Sequence, residues 1–235
     1  MIQYFGMILK RYLRKYGYDI KKYHPLFETF IKKYNISTVF DIGANNGQFA
    51  MKIHKELPKA KIYSFEPLKE CYDILVQNLE KEGIQSKAFN FALGEENGET
   101  VIKLNNFSPS SSILPITKEH EKLYPKSKEM NERKIIIRKL DDVAKELEIT
   151  NDILIKIDVQ GFEDKVIKGG SNIISKAKII LVENSFIPLY EGQSLFGDIH
   201  RLLSELGFNY SGHGDQHWNE KTGELVYEDS IYTKS

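Results

Sequence analysis

Four acidic residues of this chain stand at or near the ends of short apolar runs. Asp41 lies in Thr38-Val39-Phe40-Asp41-Ile42, and Glu66 follows Lys61-Ile62-Tyr63-Ser64-Phe65. Asp158 ends a run that begins at Asp152, and Glu183 ends the run from Lys178. Runs of this length and composition read as β-strands. Open α/β sheets bind ligands outside the carboxyl ends of their strands, so acids placed there are candidates for binding or chemistry.

The first of these runs continues into Gly43-Ala44-Asn45-Asn46-Gly47-Gln48. Gly43 and Gly47 flank a sharp turn from strand to helix, where a ligand can approach bare backbone. A dinucleotide fingerprint starting at Gly43 requires glycines at the positions held by Asn45 and Gln48. Their absence counts against NAD and FAD. S-adenosylmethionine asks for something else, since it carries no phosphate. Asp41 can hold its ammonium, directly or through water, and free N–H groups of the Gly43 to Gly47 turn suit its carboxylate. Glu66 lies about 20 residues beyond the turn, where an acid reaches ribose hydroxyls in this architecture. One carboxylate accepting from two adjacent hydroxyls is specific; the bland alternative is a tight turn and an unrelated surface Glu.

Transfer of a methyl group to oxygen is an in-line displacement, so the enzyme must align the oxygen and take up its proton. Asp158 is the first candidate and Glu183 the second. Leu154, Lys156 and Asp158 share one strand face by the two-residue period. Lys156 needs a partner in so apolar a strand, from Asp158, Glu163 or Glu183, and a structural ion pair therefore competes with a catalytic role. Asp158, Glu183 and Asn184 form an all-oxygen trio able to hold Mg²⁺ and chelate a diol. Hydrogen bonding within the pocket is the preferred reading, so no metal ligand is assigned. His213, Asp215, His217 and Trp218 fall in what reads as a Gly-rich loop between two closing strands, Phe208 to Ser211 and Val226 to Tyr232. A solvated hairpin loop is favoured there over a base or metal site. His54 and His200 sit on predicted helices and receive no function.

The elements that must position these groups alternate. Helices are expected over Gln48 to Leu57, Leu68 to Lys81, Glu163 to Lys168 and Leu195 to Leu206, and a third strand over Lys87 to Phe91. Alternating strands and helices with short connections imply parallel strands and right-handed crossovers. The rhythm breaks after the third strand. Thr100 to Leu104 and Lys134 to Lys139 read as two extra strands around a polar stretch, Asn105 to Arg133, long enough for a lid or a surface insertion. The expected fold is a Rossmann-like, mostly parallel seven-stranded sheet with helices on both faces. Residues 1–36 are expected to be a helical segment packed on the core, and 37–235 the main domain, with an insertion at about 99–139.

Composition narrows the partners. Lys+Arg and Asp+Glu each number 33 in 235 residues, so no global field favours nucleic acid. Met1 to Leu9 is mostly apolar, followed by Lys10, Arg11, Arg14 and Lys15, an order unlike a secretory signal and too short to span a membrane. Packing on the domain or on a second copy is the preferred reading. Cys71 is the only cysteine and is expected to fill a helix-packing position. A reducing, cytoplasmic setting fits.

The ordered motifs resemble the FkbM family of methyltransferases from Val39 to about Glu183. They are Asp41-Ile42-Gly43-Ala44-Asn45-Asn46-Gly47, Phe65-Glu66-Pro67, Asn90-Phe91-Ala92-Leu93-Gly94, Ser110-Ser111-Ser112, Leu140-Asp141-Asp142 and Lys156-Ile157-Asp158-Val159-Gln160-Gly161-Phe162-Glu163. The resemblance implies a class I methyltransferase fold, S-adenosylmethionine as donor, and transfer to a hydroxyl, often of a sugar, glycan or polyketide-type product. It carries cofactor contacts onto Asp41, Gly43, Asn45, Gly47, Glu66, Pro67, Ala92 and Asp158. Gln160 stands where many relatives carry Glu. The alternatives kept open are a non-sugar small-molecule acceptor, a nucleotide-dependent oxidoreductase, and a binding module that keeps the fold without transfer.

Overall fold

The computed structural model describes residues 12–13, 15–16, 26–105, 111–125, 129–150 and 152–234. Its strands are β1 (Thr38–Ile42), β2 (Lys61–Phe65), β3 (Ser86–Phe89), β4 (Ala92–Leu93) and β5 (Gly98–Asn105). They continue with β6 (Glu129–Arg138), β7 (Ile153–Ile157), β8 (Ile179–Ser185), β9 (Asn209–Trp218) and β10 (Leu225–Thr233).

β1, β7 and β8 are largely buried on both faces, as strands covered by helices on each side must be. Seven strands form one sheet in the order β3-β2-β1-β7-β8-β10-β9. The pairs β1/β2, β2/β3, β1/β7 and β7/β8 run parallel, while β10 lies antiparallel to β8 and β9. Phe40, Ile42, Ile155 and Ile157 face one core with helices Glu163–Gly169 and Phe196–Glu205. Val39 and Leu154 face the other, with helices Gln48–Glu56 and Lys69–Lys81. Phe27, Phe30 and Ile31 of helix Leu26–Lys33 pack into this second core; most of the expected N-terminal segment lies outside the described residues. Among the described residues no helix is long and apolar enough to cross a membrane.

The strand order reverses between β1 and β7, where Ile42 pairs with Ile157 in register. This switch point opens a crevice between two crossovers that leave in opposite directions. The two extra strands, β5 and β6, join β4 in a small separate sheet of order β4-β6-β5. Its Ile102, Ile135 and Ile137 pack on Leu68, Cys71 and Ala92, so the insertion is fastened beside the crevice and Cys71 is buried.

Three short helices escaped the sequence reading: Lys118–Leu123, Leu140–Ala144 and Ser171–Ile174. Each is too short to show a 3.6-residue period. The tail also differs from expectation. Residues 213–218 are not a loop but the second half of β9, paired with β10 through several register shifts. Glycines and polar residues hid this edge strand, because one face of it needs no apolar side chains.

Candidate active site

A cavity of about 710 Å³ lies at the carboxyl ends of β1, β2, β7 and β8. Gly43, Asn45, Glu66, Pro67, Ala92, Asp158 and Glu183 all line it. Residues 111–125 of the insertion supply Ser111, Ser112, Ile113, His120, Leu123, Tyr124 and Pro125 as its outer wall. Thr117 caps the short helix there by accepting from the His120 amide at 3.2 Å, and Ile116 bridges to Tyr190. Ser108, Pro109 and Ser110 lie outside the described residues.

Glu66 is buried in the cavity wall. One oxygen accepts the Leu68 amide and the other the Asn45 amide, each at 2.9 Å. Both oxygens retain acceptor capacity for a diol. Asn90 donates to the carbonyls of Glu66 and Pro67 at 3.0 and 2.9 Å, which fixes the strand end that carries the acid. Burial pushes the Glu66 carboxyl up to about 7 despite these amides. Phe65, Leu68, Phe91 and Leu93 give the adjoining wall an apolar surface suited to a heteroaromatic ring. A buried acid with spare acceptors beside such a wall fits the ribose and base of S-adenosylmethionine.

The glycine turn engages four of its five amides internally. The amides of Gly43 and Ala44 donate to Phe65 O, that of Asn45 to Glu66, and that of Gly47 to Ala44 O. They brace the turn and are not free for a carboxylate. Asp41 is likewise not on the cavity wall. Its side chain is fully buried behind the turn, and neither oxygen finds a hydrogen-bond partner of good geometry. Lys156 Nζ stands 3.5 Å away, and burial raises the Asp41 carboxyl above its usual range. Lys156 also donates to Gly43 O at 2.7 Å and meets Asp158 Oδ2 at 3.3 Å. Burial works to depress the Lys156 ammonium, but Asp158 and Asp41 outweigh it and hold the group above its ordinary value. Lys156 therefore ties the turn to β7 from behind, and does not line the cavity.

Gln160 is the hub of the opposite half. Its Nε2 donates to Asp158 Oδ1 at 2.9 Å and to Glu183 Oε1 at 3.1 Å. Its Oε1 accepts the Tyr190 hydroxyl at 2.7 Å, and its carbonyl accepts Ser112 Oγ at 2.6 Å. The residue sits at φ +55°, a strained position for a side chain of this size and one common near functional sites. Burial pushes the Tyr190 hydroxyl up, so it stays a donor and fixes which end of the amide faces the carboxylates. Burial first, and the nearby Asp158 charge second, raise Glu183 well above the carboxylate range.

Asn184 does not join Asp158 and Glu183. The strand period turns it to the opposite face, where its amide meets the Tyr232 hydroxyl at 3.4 Å. The proposed oxygen trio is thus not assembled. In β9, His217 stacks on Tyr227 at 4.9 Å and backs the cavity wall, whereas Trp218 is exposed. Gln160 was visible in the sequence only as a departure from the family. Tyr124, Tyr190 and Tyr227 gave no signal there, since each comes from a segment without a motif.

Buried carboxyls have a consequence for stability. Burial lifts Glu66 and Glu163 to about 7 and Asp229 to about 6. Each keeps its proton when folded over a range where the unfolded chain has released it, so the folded state binds more protons there. Stability of the ligand-free protein should fall as pH rises from about 4.5 to 7, each group contributing at most on the order of 3 kcal/mol. Surface acids held low, such as Glu70 and Asp142, titrate below this window. Thermal midpoints measured from pH 5 to 7.5 should drop by several degrees; a flat or rising profile contradicts the burial of these acids.

The strand order, the reversed β10 and a carboxylate-bearing cavity at the switch point define a class I methyltransferase fold. The Methyltransferase FkbM domain matches residues 41–210, well over half of the chain. The methyltransferase sdnD of Sordaria araneosa is 29% identical over 196 residues, covering 73% of each protein. The 2-O-methyltransferase NoeI of Sinorhizobium fredii is 28% identical over 202 residues, covering 79% of this chain and 80% of that one. The hexuronic acid methyltransferase AglP of Haloferax volcanii is 24% identical over 169 residues, 71% of this chain and 61% of that one. In structure, the FkbM methyltransferase from Methylobacillus flagellatus superposes with TM-score 0.52 at 13% identity. That match covers 85% of this chain and 44% of the longer protein. The chain belongs to the FkbM family of methyltransferases, with S-adenosylmethionine as methyl donor.

Proposed function

We propose that the chain methylates a hydroxyl oxygen of a sugar or sugar-like acceptor. The observation that carries this reading is the acid pair Asp158 and Glu183, joined through Gln160 at 2.9 and 3.1 Å on the cavity wall. A hydroxyl nucleophile must lose a proton as it attacks, and a carboxylate near the reacting oxygen supplies the acceptor. The tyrosine-rich wall beside the pair suits the apolar face of a sugar ring. One relative carries a name that fits, a 2-O-methyltransferase.

The donor supplies an electrophilic methyl group on a sulfonium. Glu66 would accept from its ribose hydroxyls, Pro67 and Ala92 would border its base, and the turn shaped by Gly43, Asn45 and Gly47 would receive its methionine end. Asp41 acts from behind the turn through Lys156, and Asp158 lines the cavity at the end of β7. Glu183 takes the acceptor proton, because Asp158 is already committed to Lys156. Lys156 pairs with Asp158 at 3.3 Å and holds the turn in place.

Glu66→Ala should weaken S-adenosylmethionine binding by about 1–3 kcal/mol, the loss of two charge-assisted hydrogen bonds. Unchanged affinity by calorimetry in a folded variant removes Glu66 from the site. For the acceptor, methyl transfer to a panel of glycosides, with the product located by NMR, is the direct test. Transfer to nitrogen or carbon acceptors alone would defeat the hydroxyl assignment.

A further inference from the structure

The acceptor half of the cavity is built around carboxyl groups. Among the described residues no lysine or arginine lines it, whereas Asp158 and Glu183 do. Asp229 stands beside Glu183 as its register partner across β8 and β10. Glu163 is buried close behind, held by the amides of Val159 and Gly161 at 3.0 and 3.1 Å. The ammonium nearest Asp158 is that of Lys156, and it is committed to Asp41, Asp158 and the Gly43 carbonyl behind the wall. Tyr124, Tyr190, Tyr227, Leu123, Leu189 and Pro125 give this wall an aromatic and apolar surface, interrupted by Ser112, His120 and Gln160.

We infer that the acceptor subsite takes an uncharged hydroxylated ring and excludes one that bears a carboxylate or phosphate beside the reacting hydroxyl. The inference rests on methyl transfer to a hydroxyl, as proposed above, and narrows its acceptor class. An anionic group entering this enclosure loses its hydration, meets no lysine or arginine among the described wall residues, and faces Asp158 and, once ionised, Glu183. An uncharged ring loses less water. It covers the tyrosines with its apolar face and donates its hydroxyls to Asp158 and Glu183.

The test uses the full chain saturated with S-adenosylhomocysteine and reads binding by calorimetry. Two matched pairs serve as probes: phenyl glucoside against phenyl glucuronide, and dihydroxybenzyl alcohol against dihydroxybenzoate. The neutral member should bind at least about tenfold more tightly than its carboxylate partner in any pair that binds. Leu123→Arg places a guanidinium on the wall and should shrink that ratio by about tenfold or more. A carboxylate member that binds as well as its neutral partner to the unaltered protein overturns the inference. Failure of both neutral members to bind overturns it as well. Discrimination within the benzyl pair alone, with no sugar bound, leaves the charge rule standing and removes the sugar assignment.

Discussion

Glu183→Gln is expected to lower turnover by about 10²–10⁴-fold, the usual worth of a positioned base, while cofactor affinity stays near its original value. The substitution keeps the shape of the side chain. Its carbonyl oxygen can still accept from Gln160 Nε2, which reaches Glu183 at 3.1 Å. What disappears is a group able to hold the proton that the acceptor releases. Burial raises the Glu183 carboxyl well above its usual range, so activity should climb with pH through its ionisation, and that limb should vanish in the variant. Asp158→Asn gives the contrasting signature. It removes the carboxylate 3.3 Å from Lys156 and leaves that buried ammonium with Asp41 alone. A stability loss of about 1–3 kcal/mol should dominate, discounted because Asp158 is about one-third exposed. Near-normal turnover in a folded Glu183→Gln protein would falsify the assignment. If Asp158→Asn instead abolishes turnover at an unchanged thermal midpoint, Asp158 is the base.

The second large effect is structural. Gly43→Ala should destabilise the protein by more than about 3 kcal/mol, or prevent folding. Gly43 sits at φ +76°, and a Cβ built there would stand 1.8 Å from the carbonyl oxygen of Asp158. The neighbour is backbone, not the end of a flexible side chain, so β1 and β7 would have to part where their order reverses. Gly83→Ala is the control. It has a similar φ of +64° but nothing within 4 Å of the added carbon. Its cost should be that of the left-handed backbone alone, about 1–2 kcal/mol. Urea unfolding of both variants separates the close approach from the backbone strain. Equal losses would show that the contact with Asp158 carries no weight.

Much of the architecture was legible because strand and helix periods are local. Val39, Phe40 and Ile42, or Ile153 to Ile157, announce a strand covered on both faces by composition alone. Glu66 was legible for a similar reason: an acid just past such a run can point only toward the strand ends. Asp158 and Glu183 followed from the same rule. Asn184 did not follow it, since adjacent residues of a strand face opposite sides, and the trio drawn from sequence neighbours ignored that alternation. The edge strand over residues 213–218 was missed because it lacks an apolar face, and its pairing with β10 depends on residues downstream.

The amino-acid sequence by itself determined the strand order's raw material, the glycine turn, the family, and the acids that end each central strand. These are properties of short segments, written in periods of two or 3.6 residues and in motifs of fixed spacing. Only the tertiary structure decided that Asp41 and Lys156 brace the turn from behind, and that Gln160 couples Asp158 to Glu183. It also decided that Tyr124, Tyr190 and Tyr227 wall the cavity. The hub's partners span residues 112 to 190, and the tyrosines come from the insertion, from the segment after β8 and from β10. Contacts at such separations have no periodicity and no local motif. They exist because chain crossovers carry unrelated segments to the same end of one sheet, where burial then sets the charge and orientation of each group.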